Sequence, residues 1–335
     1  MAHRSHCSLI AVLLMLFNPT RALFTSVGRS SLKKNIKNTK NKLKILAMSG
    51  GSGDKWSAQA DLYSNQAARL TELHGADLIT ILKDEILKAK TILDVGCGTG
   101  AFAKAYLQQF PKGVPGQTLI LSDLSAGMLE KAKETVKPGP GFLTKIVFQE
   151  EDGTKLEGIP DSSVDLVVSL FGVFLIPDQE KTLASIQRVL KKGDESTFAN
   201  ASWRFGISDD LASQGFGVSL QDVFSVPNDV ISPGQSPDFK KWATEEGIKA
   251  MFADKTKAIE LYQAVHTTVW EFENLWTMLA ANPMSSLNGA SEADTARARH
   301  ALEAFVTKDG SSLDKPLTFT SASILCITKG FAASK

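Results

Sequence analysis

The chain has 335 residues, 43% apolar and 22% charged, which suits one large domain or two small ones with a buried core and argues against wholesale disorder. Its formal charge of +1 hides a split: residues 1–53 hold nine Lys/Arg and no acid, so from Asp54 onward 28 basic residues face 36 acidic ones, a net −8. An acidic body disfavours a nucleic-acid binder, and three cysteines exclude a disulfide scaffold or a Cys-rich zinc centre.

In chain order, His3 and Arg4 precede an apolar run over 9–17. This run is too short to cross a bilayer core, which needs about 20 residues. Thr20-Arg21-Ala22 has the small-residue spacing of a signal-peptidase site, and a Ser-, Asn- and Lys-rich, acid-free segment follows. The whole resembles the bipartite plastid leaders of algae with secondary plastids, except that the aromatic, Phe24, stands one place late if cleavage follows Ala22. A plastid destination is expected first, with a mitochondrial or secreted one as alternatives. Residues 49–53 form a Gly/Ser join, so 1–53 is read as targeting leader and linker, and 54–335 as the folded domain, with no stable membrane span in the mature chain.

Trp56, Ala60, Tyr63, Ala67 and Leu70 recur at helical spacing, and a second helix is predicted over 76–87. Strands are predicted at 91–95, 118–121, 145–149, 164–170 and 196–202. Helices at 101–110, 125–136 and 179–190 alternate with them, the last capped by Asp178 and ended by Gly193. This alternation implies a parallel sheet covered on both faces. About 60 residues then intervene before a strand-like run at 264–272, too many for a loop. The insertion, about 204–262, carries Phe205, Phe216, Phe224, Phe239, Trp242 and Phe252, with Pro227, Pro233 and Pro237 as breaks. Helices at 274–281 and 292–306 and a β-rich run at 317–328 complete the chain.

The most informative run is Ile92-Leu93-Asp94-Val95-Gly96-Cys97-Gly98-Thr99-Gly100. A strand enters, three alternate glycines permit a sharp turn and close ligand approach, and a helix leaves with free N–H groups at its start. Gly96, Gly98 and Ala101 also satisfy the loose dinucleotide pattern, so a nicotinamide-dependent oxidoreductase stays an alternative. Three acids point elsewhere. Asp94 precedes the first glycine by two, where a carboxylate suits a cation and repels a pyrophosphate. Asp123 ends the second strand, where it can accept from both ribose hydroxyls. Asp152 ends the third and can accept from an adenine amine. One such acid is ordinarily a solvated loop residue; three at successive strand ends beside a triple-glycine loop describe a cationic, phosphate-free adenosyl ligand.

Residues 93–100 closely resemble motif I of class I S-adenosylmethionine-dependent methyltransferases. Leu121-Ser122-Asp123-Leu124-Ser125, Glu151-Asp152-Gly153, Val164-Asp165-Leu166-Val167-Val168-Ser169 and Val189-Leu190-Lys191-Lys192-Gly193 match later family motifs, although Lys192-Gly193-Asp194 departs from the usual Pro-Gly-Gly. The resemblance is greatest to the branch holding quinone-biosynthesis C-methyltransferases. It implies a doubly wound, Rossmann-like, seven-stranded α/β sheet with an antiparallel last strand and a helical cap insertion. It also implies S-adenosyl-L-methionine as cofactor, held by Asp94, Gly96, Cys97, Gly98, Gly100, Asp123, Leu124, Asp152, Gly153, Ser169 and Tyr63.

Methyl transfer from a sulfonium needs alignment more than acid–base chemistry, and no general base is evident. After the fourth strand the chain lacks the Asn/Asp-Pro-Pro-aromatic motif of base-amino methyltransferases, and it lacks a Pro-Cys nucleophile. Nucleic acid is therefore not an expected partner. Phe171, Phe174 and Trp203 are candidate walls of an acceptor pocket. Trp56 is assigned to packing, and His74 and His266 are set aside as structural or solvated. An aromatic cap predicts a small organic acceptor. The resemblance to the quinone-biosynthesis branch, with a plastid leader, implies a quinone-type ring. A leader of a marine alga implies a thioether, as in dimethylsulfoniopropionate synthesis. A catalytically inactive cofactor-binding protein is the remaining alternative.

Overall fold

The computed structural model describes residues 52–66, 68–205, 218–232, 240–282 and 285–331. The expected leader through residue 51 and the cap segments 206–217 and 233–239 lie outside the described residues. Helices α1 (Ser52–Gln66), α2 (Ala68–Ile81) and α3 (Lys83–Lys88) come first. The apolar periodicity predicts helices over 56–70 and 76–87; the chain divides the same stretch differently. Periodicity reports which side chains face the core, and it runs on across a break between helices.

Strands β1 (Thr91–Val95), β2 (Thr118–Asp123), β3 (Lys145–Glu150), β4 (Leu166–Leu170), β5 (Thr197–Trp203), β6 (Ala258–Trp270) and β7 (Leu317–Lys329) form one sheet, in the order β3-β2-β1-β4-β5-β7-β6. The first five pair in parallel. β7 inserts antiparallel between β5 and β6. Parallel neighbours require crossovers, which α4 (Ala101–Gln109), α5 (Ala126–Thr135) and α6 (Gln179–Val189) supply. β4 is buried along its whole length, as a central parallel strand covered on both faces must be. Ser125 caps α5 by accepting from the Met128 N–H, and Asp178 caps α6 by accepting from the Lys181 N–H. α6 ends with Leu190 as its C-cap, not Gly193.

The last third departs furthest from its sequence reading. β6 begins at Ala258 and ends at Trp270, while Phe272 opens α10 (Phe272–Ala281). As the sheet edge, β6 alternates polar exposed residues such as Glu260 with half-buried ones, so an apolar-run reading misses its first half. The cap therefore ends before Ala258 and has two parts. Helix α7 (Leu220–Ile231) runs through Pro227 without breaking and packs on α11 (Glu292–Val306). With α10 they share a second core that includes Leu220, Val223, Leu275, Leu279, Leu302 and Phe319. Short α8 (Lys240–Ala243) and α9 (Glu245–Phe252) instead join the main core, where Trp242, Phe252, Phe198 and Phe331 meet. Among the described residues no helix is long and apolar enough to cross a membrane.

Candidate active site

β1 and β4 are neighbours, yet the chain leaves β1 toward β2 and β3 on one side and leaves β4 toward β5 on the other. Such a reversal opens a crevice beyond the carboxyl ends of the strands. A cavity of about 620 Å³ lies there, within the ordinary range for small-molecule sites. Its walls come from the β1, β2, β3 and β4 exits and from α1, α7 and α10.

The glycine loop forms one wall. Gly96, Gly98 and Gly100 all have positive φ, at 70°, 54° and 87°. A Cβ on Gly100 would meet Val136 Cγ2 at 2.5 Å, so this glycine is required by packing between α4 and α5. A Cβ on Gly98 would meet nothing within 4 Å; it would project into open space that a ligand can take. Thr99 lines the same cavity with 1% exposure, and its Oγ1 has no hydrogen-bond partner. An orphaned buried hydroxyl beside a cradle free of side chains fits a polar ligand seated on this loop. Cys97 is buried in the wall; burial first, then Asp123 and Asp94, push its thiol well up, so it stays protonated and unreactive.

The three acids reach different places. Asp123 lies on the wall, with one carboxylate oxygen accepting from Gly98 N–H at 2.8 Å and the other from Ser125 N–H at 2.9 Å. Each oxygen keeps a further acceptor position for a ligand hydroxyl. Burial raises its pKa, restrained by these backbone bonds. Asp152 and Gly153 also line the cavity. Burial works to raise Asp152, but the hydroxyl and N–H of Thr154 and the charge of Lys155 prevail and hold it below the usual range. Asp94 is different. It is 1% exposed, lies off the cavity wall, and both of its carboxylate oxygens lack partners. Burial, reinforced by Asp123, raises its pKa well above the ordinary value.

Ser169, expected among the cofactor-holding residues, serves in this structure as a structural tie. It is fully buried off the wall, where its hydroxyl donates to Val95 O at 2.8 Å and accepts from Val173 N–H at 3.0 Å. That pair of bonds draws the β4 exit against the glycine loop, so closely that a Cβ on Gly172 would lie 2.8 Å from Val95 O. The turn leaves Phe171 at φ 62°, an uncommon conformation for a bulky residue, with its N–H on Ala201 O at 3.1 Å. Phe171 stacks on Trp203 with centroids 3.6 Å apart and planes 13° from parallel. Phe171, Phe174 and Trp203 all line the cavity, as do Leu124 and Tyr63.

α1 closes one side. Ser57 Oγ lies 2.8 Å from Ser125 Oγ and accepts from Gly127 N–H at 3.1 Å, fixing α1 over the β2 exit. Trp56, assigned to packing from its spacing, is on the wall, edge-on to Tyr63 at 6.1 Å. Phe224, Asn228 and Asp229 of α7, and Met278 and Leu279 of α10, supply the far end; the sequence gives no spacing that assigns them.

His74 and His266 lie off the cavity wall, behind the aromatic pair, with ring centroids 4.6 Å apart. Ser321 donates to His266 O, and so accepts from His74 Nε2–H at 3.0 Å; Ser323 donates to His74 Nδ1 at 2.9 Å. Burial, then the neighbouring His266, lowers the His74 pKa well below normal, and the ring is neutral. His266 Nε2 is 2.6 Å from Asp77 Oδ2.

Residues 92–193 match the family described as "Methyltransferase domain". Over this stretch the chain carries a methyltransferase domain. Over 114 residues it is 36% identical to the ubiquinone/menaquinone biosynthesis C-methyltransferase of Francisella tularensis subsp. novicida, covering 34% of this chain and 44% of that protein. Over 151 residues it is 32% identical to malonyl-(acyl-carrier protein) O-methyltransferase 1 of Ilyobacter polytropus, covering 44% and 52%. The chain thus spans about half the length of these relatives. A Bacillus halodurans crystal structure assigned to the methyltransferases shares the fold, with TM-score 0.50, 16% identity, and coverage of 76% of this chain and 98% of that one. The methyltransferase domain match ends before the cap, and so do the motifs that made the site legible.

Proposed function

We propose that this chain transfers a methyl group from S-adenosyl-L-methionine to a small organic acceptor, a quinone-type ring or a thioether. One observation carries the reading: the open glycine loop, Asp123 and Asp152 converge on one cavity at the switch point of a methyltransferase-type sheet. When bound, the cofactor supplies a methyl group already activated on a sulfonium. Asp123 would hold ribose hydroxyls, Asp152 an adenine amine, and the N–H groups of the loop the remaining polar edge. Trp56, Tyr63, Leu124 and Phe174 would exclude water, which strengthens the polar contacts inside. Phe171 and Trp203 would set the acceptor in line with the carbon–sulfur bond, where positioning supplies most of the rate. Neither histidine faces the cavity, so the site suits an acceptor that needs no strong base.

The test is transfer of a labelled methyl group into metabolite extracts, read by mass spectrometry. A labelled small product is expected. Tight cofactor binding with no labelled product across varied extracts would favour a binding-only protein. The acid-free leader further supports delivery to a plastid; a fluorescent fusion of residues 1–53 is expected to accumulate there, and cytoplasmic retention would contradict it.

A further inference from the structure

Off the cavity, a second cluster carries chemistry that the methyl-transfer site does not use. His74 and Asp77 stand three residues apart on α2 and so share one face of that helix. α2 packs on β6, which brings His266 to them. One ligand-type atom from each of the three lies within 4.8 Å of the others. His266 Nε2 and Asp77 Oδ2 are 2.6 Å apart, and the two imidazoles cross at 87° with centroids 4.6 Å apart. His74 is fully buried, whereas the side chains of His266 and Asp77 are 24% and 39% exposed. The cluster therefore has a fixed inner ligand and an outer pair that an ion can reach from solvent. Support for the inner ligand is also in place. Ser321 and Ser323 hold the two ring nitrogens of His74 at 3.0 and 2.9 Å. A hydroxyl can donate or accept, so one nitrogen can turn its lone pair to an ion while the other donates its proton to a serine. Metal-bound imidazoles are oriented in this way.

We infer that His74, Asp77 and His266 form a binding site for a divalent first-row transition ion of the zinc type. Two imidazole nitrogens and one carboxylate oxygen suit Zn²⁺, whereas Mg²⁺ and Ca²⁺ take oxygen ligands. In a tetrahedral shell with bonds of about 2.0–2.1 Å, neighbouring ligand atoms stand about 3.4 Å apart. The His266–Asp77 contact must widen toward that spacing, and with all three atoms already within 4.8 Å, side-chain rotation is enough. Water can complete the shell on the exposed side. An ion held here joins α2 to β6, the edge strand that among the described residues pairs with β7 alone. His74 also lies edge-on to Phe171 and Trp203, at 5.6 and 5.1 Å between centroids. The ion thereby stiffens the support behind that stacked pair, away from any reacting atoms. Its role is structural, and it stands whether or not the methyl-transfer reading holds.

The test uses the full-length chain carrying His3→Ala, His6→Ala and Cys7→Ser, which removes other candidate ligands near its amino terminus. After treatment with a chelator, Zn²⁺ and Mg²⁺ are titrated by calorimetry, and Co²⁺ is followed by NMR of the histidine rings. One Zn²⁺ per chain is expected, bound about a hundredfold or more tighter than Mg²⁺. Loading is expected to raise the melting temperature, because the ion binds the folded chain. Co²⁺ is expected to shift or broaden the ring signals of His74 and His266 and to spare His300, which is exposed on α11. Asp77→Asn and His266→Gln are each expected to weaken Zn²⁺ by about tenfold or more. The ring signals need no substitution in the cluster, so they decide the question even where a variant fails to fold. No Zn²⁺ uptake, Mg²⁺ bound as tightly, Zn²⁺ affinity unchanged in both variants, or a Co²⁺ effect on His300 alone overturns the inference.

Discussion

Two alternate glycines in one loop have separable jobs. Gly100 has φ 87° and a Val136 methyl 2.5 Å from any Cβ, whereas Gly98 has φ 54° and open space. Gly100→Ala is expected to lower the melting temperature, with left-handed strain of about 1–2 kcal/mol added to the clash. Gly98→Ala carries similar strain without the clash, and is expected to weaken S-adenosylhomocysteine binding more than Gly100→Ala does relative to its stability loss. Calorimetry and thermal melts on both variants check this. Asp123→Ala is expected to weaken cofactor binding by tenfold or more, since charge-assisted hydrogen bonds are each worth about 1.5–3 kcal/mol. Unchanged affinity would remove Asp123 from the site. Asp94 gives a pH prediction. Its folded pKa lies well above the unfolded value of 3.8, so the native state binds the extra proton and stability falls as pH rises from that value through the folded pKa. Asp94→Asn is expected to flatten this slope and, without ligand, to melt higher than the parent at neutral pH. A steeper slope in Asp94→Asn would contradict the assignment.

At the scale of elements, legibility followed periodicity and turn chemistry. β1, α4 and α11 stand where apolar spacing and the glycine loop place them, and Asp178 caps α6 as its position before the helix implies. Asp123, Asp152 and Trp203 line one cavity, which their strand-end positions imply because strand ends in a parallel sheet share one edge. Ser169 sits at such an end too, but its side chain points into the sheet, and strand position alone does not settle orientation. β6 was half hidden because an edge strand shows water its polar side. Phe224 and Asn228 could not be found, because their place depends on α7 folding back onto α11 and α10, a long-range packing that no local pattern encodes. The tie between α1 and the β2 exit makes its own prediction. Ser57→Ala removes the contacts to Ser125 and Gly127, and is expected to speed amide exchange in α1 and reduce cofactor affinity. Exchange in α1 unaffected by the substitution would show that the helix is held by packing alone.

For the whole molecule, a parallel sheet with a switch point between β1 and β4 sets one ligand edge, and α7 and α10 add the far wall. The same edge also serves dinucleotides in related architectures, so the central claim concerns which adenosyl ligand it takes. Side-by-side titration calorimetry of the purified protein with S-adenosylhomocysteine and with NAD tests that claim most directly. Saturation of a single site by S-adenosylhomocysteine, with no heat from NAD, is the predicted result. Saturation by NAD with none by S-adenosylhomocysteine would contradict it.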